Sequence, residues 1–313
     1  MAVHPFRFGV SVWSASSRGE WKAKARKAED DGFDTLSVPD HLTAGMFPPL
    51  VALCTAAEAT TRLRVGTLVL NNEFRHPALV ARDAACIDVL TDGRFELGIG
   101  AGHMASELAS LGLPFEPAAT RIARLEEAVS LIQSLLAEEK VTLQAEHYSV
   151  HDHALFPRPV QRPIPMLIGG NDRRVLELAA RKASIVGFTG FFPTERGTRV
   201  SAAHFTASGF ESRLQLVRAA AGERFAALEL HALIQAVVRT DDARAAAETL
   251  QARMPGLSTE DILESPFVLL GTPEQMESAL LDRRRRFGLS YFTVFEPAAG
   301  ALAPVVARLS GRG

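Results

Sequence analysis

The sequence predicts a (β/α)8 TIM barrel forming a single domain over residues 1–313. Three observations carry this expectation. Short apolar runs alternate with longer amphipathic ones along the whole chain, and strands alternating with helices imply a parallel sheet. Eight such units fit the length of this barrel with some inserted chain, whereas a doubly wound open sheet needs fewer. No internal repeat or low-complexity linker marks a second domain.

The elements follow in order. Residues 6–12 (FRFGVSV) read as the first strand, and residues 18–31 as a helix with Trp21, Ala25 and Ala28 at helical spacing. Residues 33–38 form strand 2, 48–61 a helix, 63–70 strand 3 and 77–90 a helix. Pro77 suits a first helical turn, where its missing N–H has no partner to lose. Residues 94–100 are strand 4, followed by a long helix over 118–138. Residues 141–150 alternate like a small hairpin, and a proline-rich stretch over 157–165 leads into strand 5 at 166–168. A helix at 173–182 and strand 6 at 184–188 come next. Some twenty residues up to about 207 then lack a regular period. Helix resumes over 210–221, 228–239 reads as one strand and 242–253 as a helix. The chain closes with helix 273–287, strand 290–295 and helix 298–309. The irregular stretches predict insertions after strands 4, 5 and 6.

Composition narrows the function. The chain is 47% hydrophobic and 22% charged, which is a globular balance, not a disordered one. A net charge of -2 excludes the strong positive field of a nucleic-acid binder. The longest apolar runs, such as Phe267-Val268-Leu269-Leu270, are too short to span a membrane. The first residues carry no apolar stretch of the signal-peptide kind. Two cysteines, Cys54 and Cys86, lie in alanine-rich helical stretches, so a reduced cytoplasmic setting is expected. The helices after strands 2 and 3 are rich in alanine (Ala52, Ala56, Ala57, Ala59; Ala78, Ala81, Ala84, Ala85), which allows close helix approach and suits a homodimer.

In this architecture chemistry belongs at the C-terminal ends of the strands. Strand 2 ends in Pro39-Asp40-His41, strand 3 in Asn71-Asn72-Glu73, and strand 4 in Gly100-Ala101-Gly102-His103 with Ser106 and Glu107 beyond. Strand 5 ends in Gly169-Gly170-Asn171-Asp172-Arg173-Arg174, and strand 8 in Glu296. This concentration on one face points to an enzyme acting on a small molecule. Asp40 has a plain alternative as a turn cap, and His41 as a buried structural histidine. His103 follows glycines that suggest close backbone approach. Neither His41 nor His103 belongs to a His-x-His pair, and no carboxylate spacing supports them as metal ligands. The glycines at the end of strand 5 leave free backbone N–H groups at a helix start beside an arginine, a combination suited to phosphate. Phe188, Phe191, Phe192 and Phe205 in the irregular stretch after strand 6 suggest an apolar lid or substrate wall. The run Arg283-Arg284-Arg285-Arg286 reads as a solvated helix face.

Five segments together resemble a known family: GFDTLSVPDHL (32–42), RLRVGTLVLNNEFRHPALVARDAACIDVLTDGRFELGIGAG (62–102), LGLPFEP (111–117), PRPVQRPIPMLIGGNDRR (157–174) and LLGTPEQM (269–276). They are similar to the bacterial-luciferase-like superfamily, whose members are (β/α)8 barrels that bind FMN or coenzyme F420. The VPDHL and GTLVLNNEFRHP segments most resemble its F420-dependent oxidoreductases. The resemblance implies that Asp40 and His41 contact the deazaflavin, with His41 stabilising its anionic form and Asp40 orienting it. It also implies that Leu68 and Val69 share a cis peptide behind the ring. Asn71 is implied to lie beside the ring, and Ala101, Gly102 and Ser106 to make cofactor contacts. Gly169, Gly170, Asn171, Arg173 and Arg174 match the phosphate-binding loop. The sugar-phosphate dehydrogenases of the branch carry a proton-donating Glu where this chain has His103, so His103 becomes the candidate proton donor. The basic residues that grip a sugar phosphate there are not recognisable here, which argues against a sugar-phosphate substrate, and the phenylalanines after strand 6 suggest an apolar or aromatic one. An FMN-dependent monooxygenase using reduced flavin and O2 is the alternative activity, and a non-catalytic flavin-binding protein a third reading.

Overall fold

The computed structural model describes residues 4–43, 45–194, 197–200 and 202–313, and side chains outside 191–202. Eight parallel strands close into a barrel: β1 (Arg7–Ser11), β2 (Thr35–Val38), β3 (Arg64–Thr67), β4 (Phe95–Gly100), β5 (Met166–Gly169), β6 (Ile185–Thr189), β7 (Glu229–Leu233) and β8 (Leu289–Phe295). Gly9 of β1 pairs with Thr35 of β2 on one side and Thr293 of β8 on the other. The β3–β4 seam pairs Val65 with Phe95, and a short extension at Leu70–Asn71 continues along the end of β4.

Period-2 alternation sorts the strand residues between the two faces. Phe8, Val10, Leu36, Val38, Phe292 and Val294 are buried beneath the helices. Inside the barrel, the N-terminal ends of the strands carry charge. Arg7 donates to Glu229 at 2.7 Å and also to Glu96, and its guanidinium lies 4.4 Å from the centre of the Tyr291 ring. Arg64 Nε donates to the same Glu96 at 2.5 Å. Above this layer β3 and β4 touch: a Cβ on Gly98 would lie 2.0 Å from the Thr67 carbonyl oxygen. Thr67 Oγ1 both donates to the Gly98 carbonyl at 2.7 Å and accepts its N–H at 2.9 Å. The lower barrel is therefore filled, leaving the C-terminal mouth as the place for chemistry.

The main helices packed around the barrel are α1 (Arg18–Asp30), α2 (Pro49–Glu58), α3 (Pro77–Leu90), α4 (Ala118–Ala137), α5 (Arg173–Lys182), α6 (Ala207–Ala221), α7 (Pro273–Phe287) and α8 (Glu296–Leu309), and shorter helices include Ala243–Gln251 and Thr259–Glu264. Their starts are written locally. Ser17 Oγ accepts the Glu20 N–H, Pro77 opens α3, and Thr272 with Gln275 forms a reciprocal capping box at α7. Gly288 ends α7 at φ +79°, a left-handed conformation that favours glycine. No described helix is long and apolar enough to cross a membrane.

Several details differ from the sequence expectation. Only residues 170–172 separate β5 from α5, so the insertion expected after strand 5 is absent. The extra chain instead lies between β7 and α7. The run at 228–239 is two strands, because β7 ends at Leu233 and Ala236–Arg239 pairs in parallel with Val268–Gly271 outside the barrel. The insertion before β5 follows α4 and forms the antiparallel pair Val141–Gln144 and Ser149–His153. After β6 the chain makes a short antiparallel pair, Phe191–Thr194 with Gly197–Val200. Phe188 and Phe205 are buried, packed with Phe210, Phe267 and Phe287, so they form core and not a lid. The side chains of Phe191 and Phe192 lie outside the described residues. The arginine run is not wholly solvated either. Arg283 is buried and donates to the carbonyls of Ser265 (2.9 Å) and Val268, because helical periodicity turns one member of any four-residue run inward.

Candidate active site

The ends of β2, β3 and β4 build the first wall of the mouth. Asp40, just past β2, is buried, and its carboxylate is fully engaged. Arg75 Nη1 donates to Oδ2 at 2.5 Å and Nη2 to Oδ1 at 3.2 Å, while the Asn71 N–H donates to Oδ2 at 3.0 Å. Asp40 therefore ties the end of β2 to the turn after β3. The peptide between Leu68 and Val69 in that turn is cis. Val69 projects towards glycines, since Cβ atoms on Gly100 and Gly169 would lie 2.9 and 3.3 Å from its methyls. Asn71 is buried and accepts the Glu73 N–H at 3.1 Å. Gly102 has φ +70°, and a Cβ there would sit 2.2 Å from Asn71 Oδ1. Arg121 of α4 reaches in to donate to the Ala101 carbonyl at 3.2 Å and to the Gly102 carbonyl, fixing the loop that presents His103.

His41 and His103 face one another edge to face, with ring centres 5.6 Å apart. His41 Nδ1 lies 3.0 Å from Oε1 of Glu107, a buried residue on the short helix Ala105–Ser110. The same oxygen accepts the Leu42 N–H at 2.9 Å. Burial lowers the pKa of His103 to about 4, with the neighbouring His41 ring and Arg121 guanidinium acting in the same direction, so its ring is neutral at pH 7. The candidate proton donor is thus an unprotonated ring at neutral pH. Ser106 lies on the exposed side of its short helix.

The loop after β5 is less open than expected. The Gly170 N–H, expected to be free, donates to the Gly187 carbonyl at 3.3 Å, and the Arg174 N–H donates to the Asp172 carboxylate at 2.8 Å. Arg173 pairs with Glu177 at 2.8 Å on the exposed flank of α5. Asn171 accepts from Arg213, a buried α6 guanidinium that also donates to the Thr189 carbonyl at 3.0 Å and to the His204 carbonyl. With no ionised partner among the described residues, burial lowers the Arg213 pKa to about 9.

A cavity of about 260 Å³ adjoins the ends of β7 and β8, lined by Ile234, Gln235, Ala236, Val237, Phe295 and Pro297 among others. Gln235 Nε2 donates to Thr189 Oγ1 at 3.1 Å, bridging β6 and β7 across this rim. A larger cavity of about 390 Å³ lies at the opposite end of the barrel, beside Arg7, Asp34, Arg62 and Arg64, far from the histidines. The two-histidine cluster is the better candidate centre because its groups are reactive and held, whereas the lower cavity borders the charge network that fills the barrel. The structure thus brings together Asp40, His41, Leu68, Val69, Asn71, Ala101, Gly102 and His103. Arg173 and Arg174 are set apart on α5. Glu107, Arg75, Arg121 and Arg213 were not singled out as site residues. Arg75 lies 35 positions from Asp40, Arg213 42 from Asn171 and Glu107 66 from His41, separations that no local pattern reveals.

A family model described as luciferase-like monooxygenase matches residues 1–290. An F420-dependent glucose-6-phosphate dehydrogenase of Beutenbergia cavernae is 39% identical over 161 residues, covering 49% of this chain and 47% of that protein. A 4-hydroxyprotoasukamycin monooxygenase of Streptomyces nodosus subsp. asukaensis is 37% identical over 155 residues, covering 48% of this chain and 39% of that protein. The match to these curated relatives spans about half their length or less. Among solved structures, an F420-dependent secondary alcohol dehydrogenase in complex with an F420-acetone adduct aligns with a TM-score of 0.77. It covers 98% of both chains at 18% identity, a likeness of fold alone.

Proposed function

The chain belongs to the luciferase-like monooxygenase family, and within that family we propose that it is a coenzyme F420-dependent oxidoreductase acting on a small, apolar organic substrate. The observation that carries this reading is the meeting of His41, Asn71 and His103 around the Leu68–Val69 turn at the barrel mouth. The glycine-lined walls of the mouth support a flat ring system. Backbone at Gly100 and Gly102 lies where a Cβ would collide with Val69 or Asn71, so these walls keep their present spacing only with glycine. Leu68 and Val69 would back the ring, Asn71 and His41 would meet its polar edge, and Asp40 would hold that edge's frame through Arg75. Ala101, Gly102 and Ser106 would border it. Gly169, Gly170, Asn171, Arg173 and Arg174 would receive the charged tail, with Arg173 and Arg174 reaching it from the exposed flank.

When bound, the deazaflavin supplies hydride acceptance and return at its C5. The chain's own contribution is to bind, orient and handle one proton. A neutral His103 is a proton acceptor, so in the oxidation direction it takes the proton of a substrate hydroxyl, and in reduction the imidazolium returns it. The proton-donor role expected from sequence therefore becomes one half of an exchange that starts from the neutral ring. The Ile234, Val237 and Phe295 side chains lining the cavity at the ends of β7 and β8 support an apolar substrate, in place of the aromatic lid. Exposed Val51 on α2 and Leu79 and Leu90 on α3 support pairing of two copies through these helices. The free thiols Cys54 and Cys86 support a reducing, cytoplasmic setting.

An FMN-dependent monooxygenase is the second reading, favoured by the similarity to the protoasukamycin enzyme. Titration with F420 and with FMN, followed by absorbance and fluorescence, separates the two. Tight F420 binding without oxygen uptake supports the proposal. FMN binding with oxygen uptake in the presence of reduced flavin overturns it.

A further inference from the structure

Glu107 has no part in the proton exchange described above, yet it is built into the site. Its side chain is only about 5% exposed. Its Oε1 accepts the Leu42 N–H at 2.9 Å, lies 3.5 Å from Thr43 Oγ1, and lies 3.0 Å from His41 Nδ1. Its Oε2 is buried with no hydrogen-bond partner among the described residues. An ionised carboxylate can only accept hydrogen bonds, so the atom facing it on His41 must carry a proton. We propose that Glu107 is a positioning residue that, whenever the His41 ring is neutral, keeps its proton on Nδ1 and leaves Nε2 as an unprotonated acceptor.

The neighbours leave this assignment to Glu107. Asp40 is committed to Arg75 and the Asn71 N–H, and His103 presents a neutral ring edge to face, with no charge to compete for the His41 proton. The turn at Leu42 and Thr43 donates to the same carboxylate, which fixes the carboxylate against the loop carrying His41. In water a free neutral imidazole favours the other tautomer, with the proton on Nε2, so the carboxylate reverses the intrinsic preference. The consequence concerns recognition. An Nε2 acceptor selects a ligand group that donates, an N–H or O–H, at this edge of the mouth. This rests on the functional reading above and modifies it: neutral His41 receives a hydrogen bond from the ligand, where the resemblance implied that it stabilises an anion.

The test is nitrogen-15 NMR of the imidazole side chains in the protein alone, at a pH where the rings are neutral, with His41→Gln used for assignment. The wild-type protein is expected to show Nδ1 protonated and Nε2 unprotonated. Glu107→Ala should invert the population towards Nε2–H, and Glu107→Gln, which keeps a carbonyl acceptor, should retain Nδ1–H. An Nε2–H tautomer in the wild type overturns the proposal even if the alanine variant fails to fold. An unchanged tautomer in a folded Glu107→Ala protein overturns it as well, leaving Glu107 as a cap for the Leu42 turn. Because no cofactor is present in this measurement, a failure to bind F420 would count against the functional reading and leave the tautomer result intact.

Discussion

The neutral state of His103 has a consequence for stability that can be measured without a substrate. An unfolded histidine titrates near 6.5, and His103 in the folded protein near 4, because protonation would place a charge in a largely buried site beside His41 and Arg121. Between these values the unfolded chain binds a proton that the folded chain refuses. The contribution therefore stabilises the fold above pH 6.5 and is lost as pH falls towards 4. At about 1.4 kcal/mol per tenfold change in proton affinity, the fall from 6.5 to about 4 is worth about 3 kcal/mol. Replacing His103 with Gln removes the titration while keeping a polar side chain of similar reach. Urea unfolding at a series of pH values should show the wild type losing about 3 kcal/mol more than His103→Gln between pH 7 and pH 4. The comparison cancels other acid-titrating groups, such as the buried His231. Parallel pH profiles for the two proteins, or an NMR titration of His103 centred between 6 and 7, would refute the reasoning and with it the neutral proton acceptor.

Three further substitutions follow from the same geometry. Gly102→Ala forces a Cβ to within 2.2 Å of Asn71 Oδ1 at a left-handed backbone position, and should cost about 1–3 kcal/mol in thermal unfolding while weakening cofactor binding. Asp40→Asn leaves Arg75 without its charge partner and should cost about 3 kcal/mol in denaturant unfolding, near the low end for breaking a buried pair because Arg75 keeps 25% of its side chain exposed. Arg213→Met strips donors from Asn171 and from the Thr189 and His204 carbonyls, so about 2–4 kcal/mol of stability should be lost, read as a fall in Tm. Stability unchanged in any of these would show that the corresponding contact is not formed in solution.

Much of the barrel was legible from local pattern. The helix starts at Pro77 and Arg173, the αL stop at Gly288 and the alternation in β1, β2 and β8 are consequences of neighbouring residues, which the sequence displays directly. The clustering of polar groups at the strand ends was legible for the same reason: once strand direction is known, Asp40, His41, Asn71 and His103 must share one face. The run 228–239 misled because two β segments separated only by residues 234 and 235 have one continuous apolar pattern. Whether the second stays in the barrel or leaves to pair with Val268–Gly271 depends on a partner 32 residues away.

What the sequence by itself determined was the order of strands and helices, the face that carries the chemistry and the residue types offered there. Those depend on periodicity and short-range sterics. What only the tertiary structure decided was how those groups are paired and charged. Asp40 is spent on Arg75, His41 is matched to Glu107, His103 is neutral, and the Gly170 and Arg174 amides are already bonded. Each of these states comes from burial and from a partner brought close by barrel closure, and the energy of a charge depends on its surroundings in space, which a one-dimensional pattern does not contain.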